Sequence, residues 1–391
     1  VKLMKNLKLI LNSKRKNIFM AFFLIMLFTI FSASVCALDV SAKSAILICA
    51  DSGVVIWSKN ETDPMPMAST TKIMTSLLTL EHAAAHGNKE IEITPEMIRV
   101  EGTSMGLMQG DIVTLDSLAK GMLLCSGNDA ANAAAIAVSG ETEKFINLMN
   151  EKAKLLGMKD TKFSTPSGLD KDNHHSTAHD MALLGAYAME NEAFAKIVSQ
   201  KSMPVKFINP SKTVNYKNHN KLLRLYPYCI GIKTGFTKLA GRCLVSCANK
   251  NGVKLVCVTL NAPNDWDDHM SLYNYGFENT FAKTFEEKNF TAKIEVTGCE
   301  KTEITAGILE DFSVSLKKGQ ENAVKREVKL EKTHKAPIEK GQILGKVVYS
   351  LEGKQIGESN IVSLEEAKSS KPVKKSFWSG ISSFFAKIFK K

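Results

Sequence analysis

Three short motifs occur in one order along this chain of 391 residues, and they constrain its fold more than any other feature. They are Ser69-Thr70-Thr71-Lys72, Ser126-Gly127-Asn128 and Lys233-Thr234-Gly235. Together they supply a hydroxyl nucleophile, amines that can move its proton, and a cation that can hold a carboxylate. Their order predicts that three distant segments meet in one serine acyl-transfer site.

No single motif of the three is specific. The pattern Ser-x-x-Lys also occurs at Ser13–Lys16, Ser117–Lys120 and Ser315–Lys318, whereas Lys-Thr-Gly occurs once. The prediction therefore rests on the whole set.

Ser69 follows Pro66-Met67-Ala68 and begins a helical pattern that continues to His86. Unpaired N–H groups at a helix start can stabilise an oxyanion. Lys72, one turn later, can accept the Ser69 proton if burial or the positive charge of Lys233 keeps its amine partly neutral. The alternative is that Ser69 only caps the helix.

Ser126-Gly127-Asn128 lies in a break between two helical patterns. There Ser126 can relay a proton, and Asn128 can hold Lys72 or a substrate amide by hydrogen bonds. The alternative is a plain helix–helix turn in which Asp129 caps the second helix.

Lys233-Thr234-Gly235 falls in a strand-like run. Lys233 and Thr234 can bind a terminal carboxylate, and Gly235 can let a ligand backbone approach as an added strand. The N–H groups of Ser69 and Phe236 are candidates for the oxyanion hole. The alternative is a surface lysine on an edge strand.

The net charge of +11 does not indicate a nucleic-acid-binding body. Residues 1–17 and 371–391 each carry six basic side chains and no acid, so the charge of the remaining chain is close to zero. The basic residues are confined to the ends, and no nucleic-acid partner is predicted.

Residues 1–37 resemble a secretory signal peptide, with a basic start, an apolar run and small residues before Leu38. The alternative is an uncleaved membrane anchor.

Near the other end, apolar residues recur at helical spacing between flanking lysines, which predicts an amphipathic helix on an anionic membrane surface. The alternative is a helix that docks on its own protein. The apolar residues are Phe377, Trp378, Ile381, Phe384, Phe385 and Ile388.

The pattern of strands and helices predicts an α/β domain whose sheet, mixed or antiparallel, is formed by its two ends around a mostly helical insertion. The predicted strands are 45–50, 54–58, 229–237, 243–248 and 253–261, and a helix is expected near 269–284. Short strand-like segments from about residue 289 predict a small all-β domain. The expected divisions are 1–37, 38–286, 287–365 and 366–391.

Eight cysteines without regular spacing, seven of them after residue 37, argue against a disulfide framework. Most lie in apolar runs, so they are expected to be small buried side chains.

With these motifs in place, the chain resembles a low-molecular-mass penicillin-binding protein, a serine-type D-Ala-D-Ala carboxypeptidase. The resemblance runs from about residue 42 to 364 and includes several further phrases. They are Ala42–Leu47, Ala68–Thr75, Ser126–Asn132, Ser176–Met181, Asn218–Leu223 and Ala336–Gly341.

The resemblance implies a penicillin-binding, β-lactamase-like α/β domain (an antiparallel sheet with a helical subdomain), a small all-β domain and a C-terminal amphipathic anchor. It implies peptidoglycan stem peptides ending in D-Ala-D-Ala as substrates, acylation by β-lactams, no cofactor or metal, and a place on the outer face of the bacterial cytoplasmic membrane. The implied catalytic residues are Ser69, Lys72 and Ser126. The implied substrate-binding residues are Asn128, Lys233, Thr234, Gly235 and Phe236.

One departure concerns an arginine that some relatives carry after the last sheet strand to bind the terminal carboxylate. Here that region is Asn264-Asp265-Trp266-Asp267-Asp268, and Arg242 is a candidate replacement.

Rival activities are a β-lactamase, a transpeptidase and a non-catalytic β-lactam-binding sensor. A β-lactamase of class A is disfavoured because no Glu-x-x-Leu-Asn sequence is present. A zinc peptidase at His174, His175 and His179 is disfavoured because no His-Glu-x-x-His is present.

Overall fold

The computed structural model describes residues 38–370. The predicted signal peptide and the predicted amphipathic helix lie outside these residues. The helices within them are α1 (Lys72–His86), α2 (Pro95–Ile98), α3 (Leu115–Leu124), α4 (Asn128–Ser139), α5 (Thr142–Leu155), α6 (Ala178–Ala188), α7 (Glu192–Val198), α8 (Leu222–Leu225) and α9 (Asp265–Asn279).

In the described part of the chain, the first domain has nine strands, and five of them form its central sheet. The bounds are β1 (Ser44–Cys49), β2 (Val55–Lys59), β3 (Glu90–Glu92), β4 (Ile112–Thr114), β5 (Ser202–Phe207), β6 (Lys212–Lys217), β7 (Cys229–Thr237), β8 (Gly241–Lys250) and β9 (Val253–Leu260). The sheet order is β2-β1-β9-β8-β7, and each neighbouring pair is antiparallel. The prediction that the two ends of this domain form one sheet is therefore confirmed, and the sheet is antiparallel throughout.

Helices cover both faces of this sheet. Leu255 and Val256 are neighbours on β9, so their side chains point to opposite faces. Gly276 of α9 packs against Leu255, whereas Gly185 of α6 packs against Val256. The central sheet is thus the middle layer of three, with the main hydrophobic core between the sheet and the helical insertion.

Helices of the insertion begin and end at residues that favour helix caps. Thr114 caps α3 by accepting a hydrogen bond from the Ser117 N–H. Helix α4 ends at Gly140 in the left-handed conformation, with φ of 82°. Between α3 and α4 only residues 125–127 are non-helical, so Ser126 lies in a tight turn that interrupts the core helices.

The second domain is all β. Its strands are β10 (Thr280–Phe285), β11 (Thr291–Thr297), β12 (Glu303–Gly307), β13 (Phe312–Lys317), β14 (Val324–Leu330), β15 (Thr333–Lys335), β16 (Ile343–Leu351) and β17 (Lys354–Ser363). Strands β10 and β13 pair with each other, and the remaining six form one sheet in the order β14-β16-β17-β12-β11-β15.

The predicted helix near 269–284 ends earlier than expected. Helix α9 stops at Asn279, and Thr280–Phe285 forms strand β10. The sequence Thr-Phe-Ala-Lys-Thr-Phe has β-branched and aromatic residues and pairs with β13 along its whole length, which overrides a continued helix. The expected domain boundary at 286/287 stays a prediction, and this pairing favours a boundary near residue 280.

The two domains of the described chain share a hydrogen-bonded contact. The Asp51 carboxylate accepts from the N–H and the hydroxyl of Ser315 at 2.8 and 2.9 Å. The Ser52 hydroxyl donates to the Ser315 carbonyl at 2.8 Å. Ser315 of the rival Ser-x-x-Lys pattern is therefore a domain-contact residue.

All seven cysteines of residues 38–370 are free thiols, and five of them are buried. Within the same stretch no helix combines the length and the hydropathy needed to cross a bilayer.

Candidate active site

Ser69 lies in a 3₁₀ turn, Ala68–Thr71, that leads directly into α1. Met67 occupies the N-cap position of this turn and makes no side-chain capping bond. Ser69 is therefore not a helix cap. Its Oγ lies 2.9 Å from Lys72 Nζ, and Lys72 is the first residue of the α-helix proper.

Lys72 is completely buried, and its amine has three polar contacts. Besides Ser69 Oγ, Nζ donates to Asn128 Oδ1 at 2.7 Å and to the Ser167 carbonyl at 2.6 Å. Both of these groups can only accept, so they consume two N–H bonds of the amine. In a neutral amine the remaining lone pair then faces Ser69 Oγ, the arrangement that a general base requires.

The charge state of Lys72 fits this geometry. Burial, and then the nearby positive charge of Lys233, hold the pKa of Lys72 well below its ordinary value. Burial also lowers the pKa of Lys233, to about 8. The site thus contains two buried lysines whose desolvation favours loss of a proton.

Asn128 is the first residue of α4 and is held in one orientation. Its Nδ2 donates to the Glu101 carbonyl at 2.7 Å, which leaves Oδ1 for Lys72. Its own N–H donates to the Thr103 carbonyl at 2.7 Å. Asn128 therefore joins Lys72 to the loop of residues 101–107.

Ser126 and Lys233 form a second Ser–Lys pair. Lys233 Nζ donates to Ser126 Oγ at 3.1 Å and to the Thr234 carbonyl at 2.9 Å. Ser126 has φ of 63° and Ala68, just before Ser69, has φ of 49°. Residues other than glycine seldom adopt this conformation, and such strain is concentrated at functional sites.

Gly235 brings β7 against the turn that carries Ser69. A Cβ atom on Gly235 would lie 3.0 Å from the Thr70 nitrogen and 3.1 Å from the Ser69 nitrogen. The protein's own backbone therefore lies close to Gly235, and the expected approach of a ligand backbone stays a prediction.

Strand β7 is the last strand of the central sheet, and β8 is its one partner there. Thr234 is half-buried and Phe236 is 64% exposed. The side of β7 away from β8 is thus where an extended ligand can add as a strand.

Arg242 is already bound within the protein. Its Nε and Nη2 donate to Asp265 Oδ1 at 3.0 and 2.6 Å, and its guanidinium lies over the Trp266 ring. Asp268 accepts hydrogen bonds from the N–H groups of Ser41 and Ala42. Arg242, the candidate replacement for the carboxylate-binding arginine of some relatives, is therefore paired within the protein, and its role toward a substrate stays a prediction.

Sequence reasoning missed the role of Asp129. Its buried carboxylate accepts from the Ser104 hydroxyl and from the N–H groups of Met105, Gly106 and Leu107, at 2.5 to 3.1 Å. The alternative in which Asp129 caps α4 is wrong, because Gly127 holds the N-cap position. The position of Asp129 directly after Asn128 was the available signal.

It also missed the loop of residues 162–176, which contributes the Ser167 carbonyl. No residue pattern in this segment indicates a contact with Lys72, because the group it contributes is a backbone carbonyl. Within it His174 bonds to Thr71 and Ser164.

Among residues 38–370 no group of three or more His, Cys, Asp or Glu side chains is placed to hold a metal ion.

The comparisons with known proteins agree with this geometry. A family model described as D-alanyl-D-alanine carboxypeptidase matches residues 31–264, which is more than half of the chain. The chain belongs to the D-alanyl-D-alanine carboxypeptidase family. A second model, the C-terminal domain of penicillin-binding protein 5, matches residues 281–369. The resemblance inferred from the motifs is confirmed.

Individual relatives cover both domains. The D-alanyl-D-alanine carboxypeptidase DacF of Bacillus subtilis is 33% identical over 84% of this chain and 86% of its own length. The structure of penicillin-binding protein 5 from Haemophilus influenzae is similar with a TM-score of 0.63 and 29% identity, covering 85% of this chain and 98% of that one. A Streptomyces DD-transpeptidase is similar with a TM-score of 0.59 and 27% identity, covering 61% of this chain and 99% of that one.

The four hydrogen bonds that the Asp129 carboxylate accepts from the 104–107 loop lead to a testable prediction. Asp129→Asn replaces a carboxylate that accepts from four groups of the 104–107 loop with an amide that has one acceptor atom. We expect the free energy of unfolding to fall by about 2–3 kcal/mol, since hydrogen bonds to a buried charged group are lost. We also expect the amide protons of residues 105–107 to exchange faster, measured by hydrogen exchange with mass spectrometry.

The matched control is Asp116→Asn, which removes a more exposed carboxylate paired with Lys120 four residues along α3. Such surface pairs contribute less than about 1 kcal/mol. Equal protection of residues 105–107 in the Asp129 variant and the unaltered chain would contradict the anchoring role.

Proposed function

We propose that this D-alanyl-D-alanine carboxypeptidase acts through an acyl-enzyme on Ser69. Ser69 Oγ attacks the carbonyl carbon of the penultimate D-Ala, and its proton passes to Lys72 Nζ. The C–N bond to the terminal D-Ala breaks as Ser126 donates a proton to the leaving amine, and Lys233 restores the Ser126 proton. Water then attacks the ester carbonyl carbon; its hydroxyl stays on the shortened peptide, and its other proton goes to Ser69 Oγ as the bond between that oxygen and the carbonyl carbon breaks. Lys72 releases the proton that it took and Lys233 regains one from solvent, which restores the free enzyme.

The observation that carries this proposal is the contact set of Lys72. A lysine with two fixed carbonyl acceptors and a serine hydroxyl at 2.9 Å is arranged to take that hydroxyl's proton. Its burial supplies the lowered pKa that the role needs.

Lys233, Thr234, Gly235, Phe236 and Asn128 are the proposed substrate-binding residues. Lys233 and Thr234 hold the terminal carboxylate, and the open edge of β7 holds the peptide backbone. The N–H groups of Ser69 and Phe236 receive the oxyanion. β-Lactams acylate Ser69 because their ring amide presents the same carbonyl and carboxylate pattern.

The test is release of D-Ala from a peptide ending in Lys-D-Ala-D-Ala, followed by mass spectrometry. We expect Ser69→Ala to reduce release by about a thousandfold or more, as loss of a nucleophile does in other serine hydrolases. The matched control is Ser117→Ala, which alters another Ser-x-x-Lys sequence whose serine lies in the first turn of α3 and donates to the Lys206 carbonyl. Release that survives in the Ser69 variant would overturn the serine mechanism.

The likeness to a DD-transpeptidase favours one second activity, transfer of the same acyl group to an amine acceptor. Adding glycine to the assay separates the two. If hydrolysis dominates, D-Ala release continues with water as acceptor and little glycine adduct forms. Release that requires glycine would identify a transpeptidase, and covalent β-lactam labelling without either product would identify a sensor.

Lys233 gives the carboxypeptidase an alkaline limit. With a pKa of about 8, Lys233 is charged below that pH and loses its positive charge above it. The charged form grips the substrate carboxylate, so we expect kcat/KM for the D-Ala-D-Ala peptide to fall as pH rises through about 8. An arginine stays charged at this pH. The Lys233→Arg variant should therefore be less active, but its kcat/KM should not fall as pH rises through about 8. An alkaline limb at the same pH in both proteins would assign it to another group.

The envelope location is proposed on sequence grounds. The relatives named above belong to bacteria, and residues 1–37 have the pattern of an export signal. We propose that the enzyme works outside the cytoplasm and binds the outer face of the cytoplasmic membrane through residues 377–388.

Membrane binding is tested with two chains that both lack the predicted signal peptide, residues 38–391 and residues 38–370, each sedimented with lipid vesicles. We expect the longer chain to bind vesicles rich in phosphatidylglycerol and to bind phosphatidylcholine vesicles more weakly. The shorter chain should remain in the supernatant with both. Equal sedimentation of the two chains would contradict the anchor.

A further inference from the structure

The turn that carries Ser69 adopts an unfavourable backbone conformation and is held from two sides. Ala68 has φ of 49°, which costs free energy and persists only when surrounding contacts enforce it. Gly235 of β7 packs against one side of the turn. On the other side lies Gly168, where an added Cβ would be 2.0 Å from the Ala68 carbonyl oxygen.

A chain of hydrogen bonds connects this second side to the Ala68 carbonyl. The Thr71 hydroxyl donates to the Ala68 carbonyl at 2.8 Å. Thr71 Oγ1 also lies 2.9 Å from His174 Nε2. The Ser164 N–H donates to His174 Nδ1 at 3.0 Å. Ser164 and His174, about a hundred residues after Ser69, are therefore linked by hydrogen bonds to the peptide group between Ala68 and Ser69.

The direction of each bond follows from the chemistry of its ends. The Ser164 N–H can only donate, so His174 Nδ1 carries no proton, and a neutral imidazole has its proton on Nε2. The Thr71 hydroxyl proton is used on the Ala68 carbonyl, which can only accept. His174 Nε2 must therefore donate to Thr71 Oγ1, and the chain requires one tautomer of a neutral histidine.

The surroundings of His174 favour that neutral form. The side chain is 7% exposed and contacts the Phe163 ring edge to face. Burial, and then electrostatic interactions with His175, Lys171 and Lys72, lower the pKa of His174 to about 4. The neutral tautomer thus persists at the pH where the enzyme is assayed.

We propose that His174 is a positioning residue for acylation: through Thr71 it holds the Ala68 carbonyl and so keeps Ser69 Oγ directed at Lys72 Nζ. The proposal rests on the proposed function of Ser69. His174 does not touch the substrate or the reacting atoms. Its effect lies in the orientation of the nucleophile, where a displacement of about 1 Å can cost a hundredfold in rate.

Three substitutions of His174 distinguish the hydrogen bond at Nε2 from the hydrogen bond at Nδ1. His174→Gln can place an amide N–H near the Nε2 position and keep donation to Thr71. His174→Asn can place a carbonyl near the Nδ1 position and keep the bond from Ser164, but it is too short to reach Thr71. His174→Phe keeps the ring shape and loses both bonds. Thr71→Val and Thr71→Ser remove and retain the intervening hydroxyl.

The experiment is stopped-flow acylation by a fluorescent penicillin, which gives the acylation rate constant and the prior binding constant separately. Near-ultraviolet circular dichroism measures the folded fraction of each variant. We expect the rate constant to fall about tenfold or more in His174→Phe, His174→Asn and Thr71→Val, with binding unchanged. His174→Gln and Thr71→Ser should remain within about threefold of the unaltered chain. His175→Gln, a change at the neighbouring histidine, is the matched control.

The outcomes discriminate between positioning and simple stability. Equal loss in the Gln and Asn variants, or a lower melting temperature with unchanged acylation, would overturn the proposal. If His174→Phe does not fold, the comparison of Thr71→Val with Thr71→Ser gives the same decision. Labelling of the unaltered chain that is unaffected by these changes overturns the positioning role alone. A folded, unaltered chain that is not acylated overturns the proposed function as well.

Discussion

The buried amine of Lys72 is the interaction on which the rest of the site depends. An amine without water needs polar partners for each of its bonds, because an unpaired buried donor costs free energy. Here the partners come from three segments: the 3₁₀ turn with Ser69, the start of α4 with Asn128, and the loop that contains Ser167. Meeting this requirement fixes the relative positions of those segments.

Hydrogen bonds from uncharged donors and close backbone packing keep these segments in place. Asp129 holds the loop of residues 101–107 through N–H groups and a hydroxyl, and that loop in turn orients Asn128. Gly168 and Gly235 allow two backbones to lie directly against the Ser69 turn. The turn that carries the reactive serine is therefore packed against the backbone of two other segments.

Much of the fold followed from local patterns. The five strands predicted within residues 45–58 and 229–261 are each present within a few residues of their expected bounds. The error at Thr280–Phe285 arose where a helix runs straight into a strand, since no glycine or proline marks that change. Pairing with β13, a contact distant in sequence, decides the conformation there.

The sequence by itself determined the chemical groups of the site, because three motifs name the serines, lysines and asparagine that acyl transfer uses. It also determined the family, since those motifs occur in one order with matching phrases around them. The tertiary structure decided how the groups are held. Ser167 contributes only a carbonyl, Asp129 acts on a loop more than twenty residues before it, and His174 reaches Ser69 through Thr71. Backbone acceptors and contacts between distant segments leave no residue pattern of their own, so only the folded chain reveals them.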